Sequence, residues 1–244
     1  GDSAAPLRIA VYASASARTP AAYLEAARVV GAACAARGHV LVNGGGMQGG
    51  MGALNKACRE GKGRIVCVIH ERFVVDGVEF EGADEMIVAS GENLGERKRL
   101  LLANADVVLA LPGGVGTFDE LFEAIVLGQL NFKTARPVVI LNVDDYYAGL
   151  LAQLRKAFDD GLLRKTVPEL VYVTASVDDA LRYCEGAGHN GRRHKQQPRR
   201  RPARRLSSFV AARGRLSSSF VAALGLGVAL GFVLGVVSSR RRRY

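Results

Sequence analysis

The fold is decided by one stretch of the chain, Leu111-Pro112-Gly113-Gly114-Val115-Gly116-Thr117-Phe118-Asp119-Glu120. A short, β-branched apolar run at 105–111 leads into it, which predicts a buried strand. Apolar residues at helical spacing follow at 121–127, which predicts a helix. The stretch therefore reads as a strand, a glycine turn and the start of a helix.

This glycine turn has the composition of an anion-binding site. Glycines let the backbone approach a ligand closely, and the first N–H groups of a helix have no partner inside the helix. Such a helix start favours a phosphate, for which we predict contacts from Gly113, Gly114, Gly116 and Thr117. We expect Glu120 in the first helical turn. The spacing Thr117-x-x-Glu120 is also that of a capping box, so it leaves open whether Glu120 caps the helix or acts on a ligand.

The positive charge of the chain is concentrated at its C-terminal end. The formal net charge is +10, but 14 of the 33 Lys and Arg residues lie after Glu185, where there is no Asp or Glu. Residues 1–185 thus carry 19 basic and 23 acidic side chains, a net charge of −4. A nucleic-acid-binding domain carries its basic patch on the folded part, so we expect no nucleic-acid partner.

The cysteines and histidines indicate no metal site. Four cysteines stand at 34, 58, 67 and 184, without the spacing of metal ligands or of a disulfide framework. Their apolar surroundings predict reduced, buried thiols and a cytosol-like compartment. His39 and His70 have no partner at metal-ligand spacing, and we expect them to be structural.

Strand and helix patterns alternate from about residue 7 to residue 184. This alternation predicts a single α/β domain over residues 1–185, a three-layer, Rossmann-like, doubly wound parallel sheet with helices on both faces. Ligands in such folds bind at the carboxyl ends of the strands, near the point where strand order reverses. Glycine or serine turns at 14–16, 44–52 and 113–117 are predicted at such ends.

The C-terminal region has a different character. We predict a basic, disordered linker at 186–215, a transmembrane helix at 216–239 and a basic end at 240–244. The uncharged run Phe220–Val237 has 18 residues, which at ~1.5 Å per residue spans about 27 Å of a hydrocarbon core of roughly 30 Å. A membrane is thus an expected partner, with the domain facing the cytosol. A buried, cleaved or artefactual hydrophobic tail is the alternative, and without an anchor we expect a cytosolic protein.

Several motifs together resemble the LONELY GUY (LOG) family of cytokinin-activating phosphoribohydrolases, formerly described as lysine decarboxylase-like. The family signature PGGxGTxxE is matched in full at 112–120, and the GGG…G.MG loop is matched at 44–52. Glu96-Arg97-Lys98 precedes the signature, as in the family. Segments at 129–130 and 141–147 are also similar, and the resemblance covers roughly residues 7–184.

The resemblance implies hydrolysis of the N-glycosidic bond of cytokinin riboside 5′-monophosphates, without metal or organic cofactor, by a homodimer. It implies catalytic roles for Glu120 and Arg97. Lys98 would support the anionic side of the substrate. We further expect substrate contacts from Ser14, for which plain turn chemistry is an equal alternative, and from Gly45 and Gly46.

Two other functions stay open. The turn Tyr12–Ser16 differs from the Cys-Gly-Ser-Ser-like turn usual in the family, which keeps open a nucleosidase acting broadly on AMP-type nucleoside 5′-monophosphates. A membrane-tethered nucleotide-binding module without catalysis is the alternative from another class, although phosphate binding alone requires neither Glu120 nor Arg97. Lysine decarboxylation is rejected, because nothing in the sequence places a Schiff-base lysine in the cleft.

Overall fold

The computed structural model describes residues 6–196 except 76 and 78, and within them it has a parallel sheet of seven strands. The strands are β1 Arg8–Tyr12, β2 Val40–Asn43, β3 Arg64–His70, β4 Glu85–Ala89, β5 Val107–Ala110, β6 Val138–Leu141 and β7 Tyr172–Thr174. The helices are α1 Ala21–Ala36, α2 Gly49–Glu60, α3 Glu71–Val75, α4 Gly95–Ala103, α5 Val115–Gln129, α6 Ala148–Asp159, α7 Val167–Leu170 and α8 Val177–Gln196. The predicted Rossmann-like α/β domain is confirmed.

Two apolar layers enclose the sheet, because alternate residues of each strand point to opposite faces. On β1, Ile9 and Val11 pack with α1, α2 and α8, whereas Ala10 and Tyr12 pack with α4, α5 and α6. The central strands are buried on both faces, which explains their continuous apolar runs. The helices therefore form one layer on each side of the sheet.

The strand order β4-β3-β2-β1-β5-β6-β7 places a topological switch between β1 and β5. The chain builds outward from β1 through β4, then returns to the other side of β1 as β5. Tyr12 pairs with Ala110 at the end of the two strands. The turns that follow them, Ala13–Ser16 and Leu111–Gly114, therefore lie side by side where ligands of such sheets bind.

Helix α8 continues to Gln196, past the domain boundary predicted at residue 185. The first part of the predicted linker, 186–196, is thus helical rather than disordered. The remainder of the linker and the predicted membrane helix at 216–239 lie outside the described residues. Between residues 6 and 196, no described helix is both long and apolar enough to cross a membrane.

Candidate active site

The site is built from three loops at the carboxyl edge of the sheet. They are Ala13–Ser16 after β1, Gly44–Gln48 after β2 and Leu111–Gly114 after β5. Helix α4 contributes two cations, Arg97 and Lys98, from the side. The sequence predicted all of these segments as parts of the site, and the topology brings them together.

Helix α5 begins earlier than predicted. Its N-cap is Gly114, in an extended conformation, and its first residue is Val115. Thr117 is thus the third helical residue and not the cap, and Glu120 lies in the second turn. The prediction of Glu120 in the first turn is wrong, because the helix follows directly on the glycines. Without Thr117 at the cap, the capping-box alternative for Glu120 is not realised.

The N-terminus of α5 is open. The helix's hydrogen bonds start with Phe118 N–H, which donates to Gly114 O at 3.1 Å. In the described part of the chain, no protein acceptor takes the N–H groups of Val115, Gly116 and Thr117. Gly114, Val115 and Gly116 are also exposed to solvent. Three donors at the positive end of a helix dipole thus lack an acceptor among the described residues, and this arrangement favours an anion.

The loop before α5 is closely packed on its inner side. A Cβ at Gly113 would overlap Thr117 Oγ1. The Thr117 hydroxyl itself is buried and donates to Ala13 O at 3.3 Å, which ties α5 to the end of β1. Thr117 therefore fixes the loop through its side chain, and the contact predicted for its hydroxyl with a ligand stays a prediction.

Arg97 and Glu120 form a buried ion pair. Arg97 Nη1 lies 2.7 Å from Glu120 Oε1, and the two side chains are only 10% and 11% exposed. Arg97 Nε also donates to Val68 O at 3.1 Å, so the guanidinium is held on two sides. Burial raises the pKa of Glu120, and the charge of Arg97 opposes that rise. The carboxyl group of Glu120 is thus largely buried, and it lies on the helix whose N-terminus is open.

Lys98 is engaged within the protein. Its Nζ lies 2.8 Å from Asp119 Oδ1 and 2.9 Å from Glu123 Oε2, both on α5. These contacts join α4 to α5 outside the Arg97–Glu120 pair. A contact of Lys98 with substrate stays a prediction, because its ammonium group is already shared by two carboxylates.

The N-terminus of α2 is closed by the loop after β1. Ser14 Oγ accepts from Gly50 N–H at 2.9 Å, and Ser14 O accepts from Met51 N–H at 3.0 Å. The Ser14 hydroxyl also contacts Thr19 Oγ1 at 2.8 Å. Of the two interpretations of Ser14, turn chemistry therefore accounts for its hydrogen bonds within the protein, and a contact with ligand stays a prediction.

Gly45 and Gly46 are predicted substrate contacts in the α2 loop, which is the segment 44–48 between β2 and α2. Their surroundings differ. Gly45 has a φ of +77°, its N–H donates to Asn43 Oδ1 at 2.8 Å, and its carbonyl accepts from Phe80 N–H at 2.7 Å. Gly46 forms an antiparallel bridge with Glu79 and lines a cavity. Gly46 therefore lines a cavity, whereas the backbone groups of Gly45 are hydrogen-bonded within the protein.

The cavity lies between the α2 loop and Arg97. Its volume is about 320 Å³, and its lining is mainly apolar and includes Met47, Met51, Ile69 and Phe73. Gly44 also lines it, and a Cβ at Gly44 would overlap Arg97 Nη2. The cavity therefore places apolar side chains beside the Arg97 guanidinium. Within residues 6–196, no group of three or more described His, Cys, Asp or Glu side chains could hold a metal ion.

Sequence reasoning missed two pairs of residues that support the loops. Asn43 and Asn55 are completely buried and share a 2.6 Å hydrogen bond beneath the α2 loop. Tyr146 and Tyr147 donate to backbone carbonyls of the α5 loop. The spacing of the asparagines, on β2 and α2, carried no signal. The tyrosines stand in a segment that resembles the LOG family, but the sequence assigned them no role.

Comparison with known proteins shows the family of the chain. The family model described as "Possible lysine decarboxylase" matches residues 51–184. A Mycobacterium tuberculosis protein named cytokinin riboside 5′-monophosphate phosphoribohydrolase is 41% identical over 176 residues, or 72% of this chain and 92% of that protein. An Arabidopsis thaliana protein of the same enzyme name is 33% identical, over 73% of this chain and 82% of that protein.

Solved structures share the fold. The molybdenum cofactor carrier protein of Chlamydomonas reinhardtii superposes with a TM-score of 0.56 at 24% identity, over 75% of this chain and 98% of that one. At that identity the likeness concerns the fold alone. The family match and the two relatives at 41% and 33% identity go further. This chain belongs to the LONELY GUY family, the group resembled by its glycine signature and its Glu-Arg-Lys segment.

Proposed function

We propose that this chain hydrolyses the N-glycosidic bond of cytokinin riboside 5′-monophosphates, releasing the free base and ribose 5-phosphate. The observation that carries the proposal is the buried Arg97–Glu120 pair, 2.7 Å apart, on a helix whose first three N–H groups have no acceptor among residues that the structure describes. Relatives at 31–41% identity are named for this reaction. We assign Glu120 and Arg97 as catalytic residues on this basis.

The N-terminus of α5 would bind the 5′-phosphate. Val115, Gly116 and Thr117 supply N–H donors there, and the helix dipole favours negative charge. Holding the phosphate fixes the ribose relative to Glu120, which lies on the same helix. The cavity bordered by Met47, Met51 and Phe73 would hold the base. Its apolar lining suits an adenine with an apolar N6 substituent.

Glu120 would act at the anomeric carbon. As the bond from C1′ to the base nitrogen breaks, positive charge develops on the ribosyl group, as in glycoside hydrolysis. A carboxylate beside it stabilises that charge and accepts a proton from the attacking water. The water oxygen bonds to C1′ and keeps one proton as the new hydroxyl of ribose 5-phosphate. The proton that Glu120 accepts is balanced by the one that the leaving base nitrogen takes up. Arg97 opposes the rise in the pKa of Glu120 that burial causes, and it orients the carboxyl group.

A release assay on the full chain tests the proposal. The substrates are isopentenyladenosine monophosphate, AMP, CMP and the corresponding nucleosides, with free base and ribose 5-phosphate as readouts. We expect release from the isopentenyl nucleotide well above AMP, and none from nucleosides. Comparable release from several nucleotides would favour the broad nucleosidase. Nucleotide binding without any release would favour the binding module.

The same assay tests Glu120. Glu120→Gln should lower kcat by about a thousandfold, the scale of acid–base and electrostatic contributions. Asp119→Asn is the matched control, since Asp119 is the neighbouring carboxylate on the same helix but is 52% exposed. Its kcat should stay within about twofold of wild type. A Glu120→Gln protein with wild-type turnover would refute the assigned role.

We also propose a homodimer paired through α5. Exposed apolar side chains at four-residue spacing, Phe122, Val126 and Leu130, form a stripe along one side of this helix. A stripe of this kind on a helix is buried by packing on another helix. Light scattering that gives twice the monomer mass would support the dimer, and the monomer mass would refute it. A membrane anchor at 216–239 remains a proposal from the sequence alone.

A further inference from the structure

The turn between β6 and α6 reaches back to the glycine loop before α5. Tyr147, whose side chain is 1% exposed, donates to Leu111 O at 2.6 Å. Its neighbour Tyr146 donates to Gly113 O. The two accepting carbonyls flank Pro112, which has no N–H of its own. Two phenols thus hold both ends of the short segment where β5 turns into the loop.

The orientation of these carbonyls sets the orientation of the loop's donors. Described peptide bonds are all trans, so the C=O and N–H of one peptide unit point in opposite directions. The unit that contains Gly113 C=O also contains the N–H of Gly114, the N-cap of α5. A hydrogen bond from Tyr146 therefore fixes the plane of the peptide that opens the helix.

The turn that delivers the tyrosines has an uncommon backbone. Asp144 and Asp145 both have left-handed φ values, of 49° and 54°. Asn and Asp tolerate this conformation better than other non-glycine residues. Asn142 stabilises the turn from both sides, since its Oδ1 accepts from Tyr147 N–H at 2.8 Å and its Nδ2 donates to Asp145 at 3.2 Å. The segment therefore places two consecutive tyrosines on one loop.

Aromatic contacts hold Tyr146 in place. Its ring centroid lies 5.4 Å from that of Tyr23 on α1 and 6.3 Å from that of Phe118 on α5. Tyr146 also makes an edge contact with Tyr147 at 5.0 Å. Contacts from α1, α5 and the neighbouring tyrosine leave the phenol little freedom to turn away from Gly113.

We propose that Tyr146 and Tyr147 are positioning residues, which hold the Gly113 loop in the conformation that receives the substrate phosphate. The inference rests on the proposed function in taking the N-terminus of α5 as the phosphate site. Burial raises the pKa of both phenols, so both remain protonated donors at neutral pH. Neither residue touches the reacting atoms in this assignment. They act through the backbone of Leu111 and Gly113.

Titration calorimetry of the full chain with ribose 5-phosphate tests the inference without requiring turnover. Tyr146→Phe keeps the ring contacts but removes the donor, and it should weaken binding by about tenfold, as expected for one lost hydrogen bond that orders charged-ligand contacts. Tyr147→Phe should weaken binding in the same direction. With the nucleotide substrate, Tyr146→Phe should raise KM by a similar factor and leave kcat within about twofold.

Tyr172→Phe is the matched control. Tyr172 donates to Asp179 at 2.7 Å at the far edge of the sheet, so this variant also loses one phenolic hydrogen bond. Its ribose 5-phosphate affinity should equal that of wild type. Equal affinity of Tyr146→Phe and wild type, or equal losses in Tyr146→Phe and Tyr172→Phe, would overturn the inference.

The outcomes separate this inference from the proposed reaction. Ribose 5-phosphate binding that depends on Tyr146, in a chain that hydrolyses no nucleotide, would support the positioning role and refute the reaction. Hydrolysis that is indifferent to Tyr146→Phe in both KM and kcat would support the reaction and overturn the positioning role. Failure of the wild-type chain to bind ribose 5-phosphate would overturn both.

Discussion

Helices α2 and α5 both follow a strand and a glycine loop, yet their N-termini differ. At α2, the N–H groups of Gly50 and Met51 are taken by Ser14. At α5, the corresponding groups of Gly116 and Thr117 have no protein acceptor among the described residues. The protein supplies the acceptors at the N-terminus of α2, whereas at α5 it supplies none from the described residues.

The difference shows that a glycine-rich turn before a helix can serve two purposes. The α5 loop exposes its donors and suits a phosphate. The α2 loop instead packs against other parts of the site, since Gly44 lies directly against the Arg97 guanidinium. Gly44 there provides close approach to a side chain. Each loop should therefore affect a different kinetic constant when it is altered.

The largest effect should come from a change in the glycine loop before α5. In Gly113→Ala, the added methyl group overlaps Thr117 Oγ1 and must displace the loop. The phosphate donors then lose their alignment, and we expect KM for the nucleotide to rise by about a hundredfold, the scale of hydrogen bonds to a charged group. Steady-state kinetics over a range of nucleotide concentrations would measure the change in KM.

Gly128→Ala provides the control for this variant. It makes the same change near the other end of α5, where a Cβ meets no atom within 4 Å. Its KM should remain that of wild type. If Gly113→Ala left KM unchanged, the N-terminus of α5 would not be the phosphate site. The loops before α2 and α5 would then not differ in phosphate binding.

A change in the glycine loop before α2 should affect the chemical step. In Gly44→Ala, the methyl group displaces the Arg97 guanidinium, which is held by Val68 and Glu120. We expect kcat to fall by roughly tenfold or more with KM within about threefold, because Glu120 loses its orienting partner. The control is Gly149→Ala on α6, where the methyl group meets no atom within 4 Å.

The pH profile of Gly44→Ala gives a second readout. Burial raises the pKa of Glu120 and Arg97 opposes the rise, so a weaker pair allows the pKa to rise further. The reaction requires the carboxylate, so activity is lost as pH falls through this pKa. The acidic limb of the kcat profile should therefore move to higher pH than in wild type. A shift to lower pH would contradict the assignment of Glu120.

The smallest effect should come from removing the Ser14 hydroxyl at the N-terminus of α2. Ser14→Ala removes the hydroxyl that accepts from Gly50 N–H, and the free energy of unfolding should fall by about 1 kcal/mol, as for loss of a helix cap. KM for the nucleotide should change by less than twofold. Urea denaturation measures the first quantity. A large rise in KM would restore Ser14 as a ligand contact.

Local patterns were sufficient to predict the sheet and the sheet edge at which the loops of the candidate site meet. The alternation of strands and helices fixed parallel strands and crossovers, and the carboxyl ends of the strands followed from them. The Thr-x-x-Glu pattern shows where local reasoning ends. At Thr166–Glu169 it forms the capping box of α7, whereas at Thr117–Glu120 the helix has already begun at Val115. The glycines before Thr117 decide the difference.

Contacts between distant segments could not be predicted from patterns. Ser14 reaches α2 across 36 positions, and Tyr147 reaches Leu111 across the same number. No local spacing encodes either contact, because each depends on which strands become neighbours. Resemblance to a family implied catalytic roles for Arg97 and Glu120, whereas their pairing, distance and burial came from the structure.

The cations of α4 meet the carboxylates of α5 in two layers, an inner pair and an outer cluster around Lys98. The Lys98 side chain is 18% exposed and its partners more so, whereas the inner pair is nearly sealed. Dissolved ions screen exposed charges over about 8 Å at physiological ionic strength and reach buried pairs much less. Salt will therefore loosen the outer contact between the helices first. The contact between Arg97 and Glu120 will persist at ionic strengths that already weaken the ion pairs of Lys98 with α5.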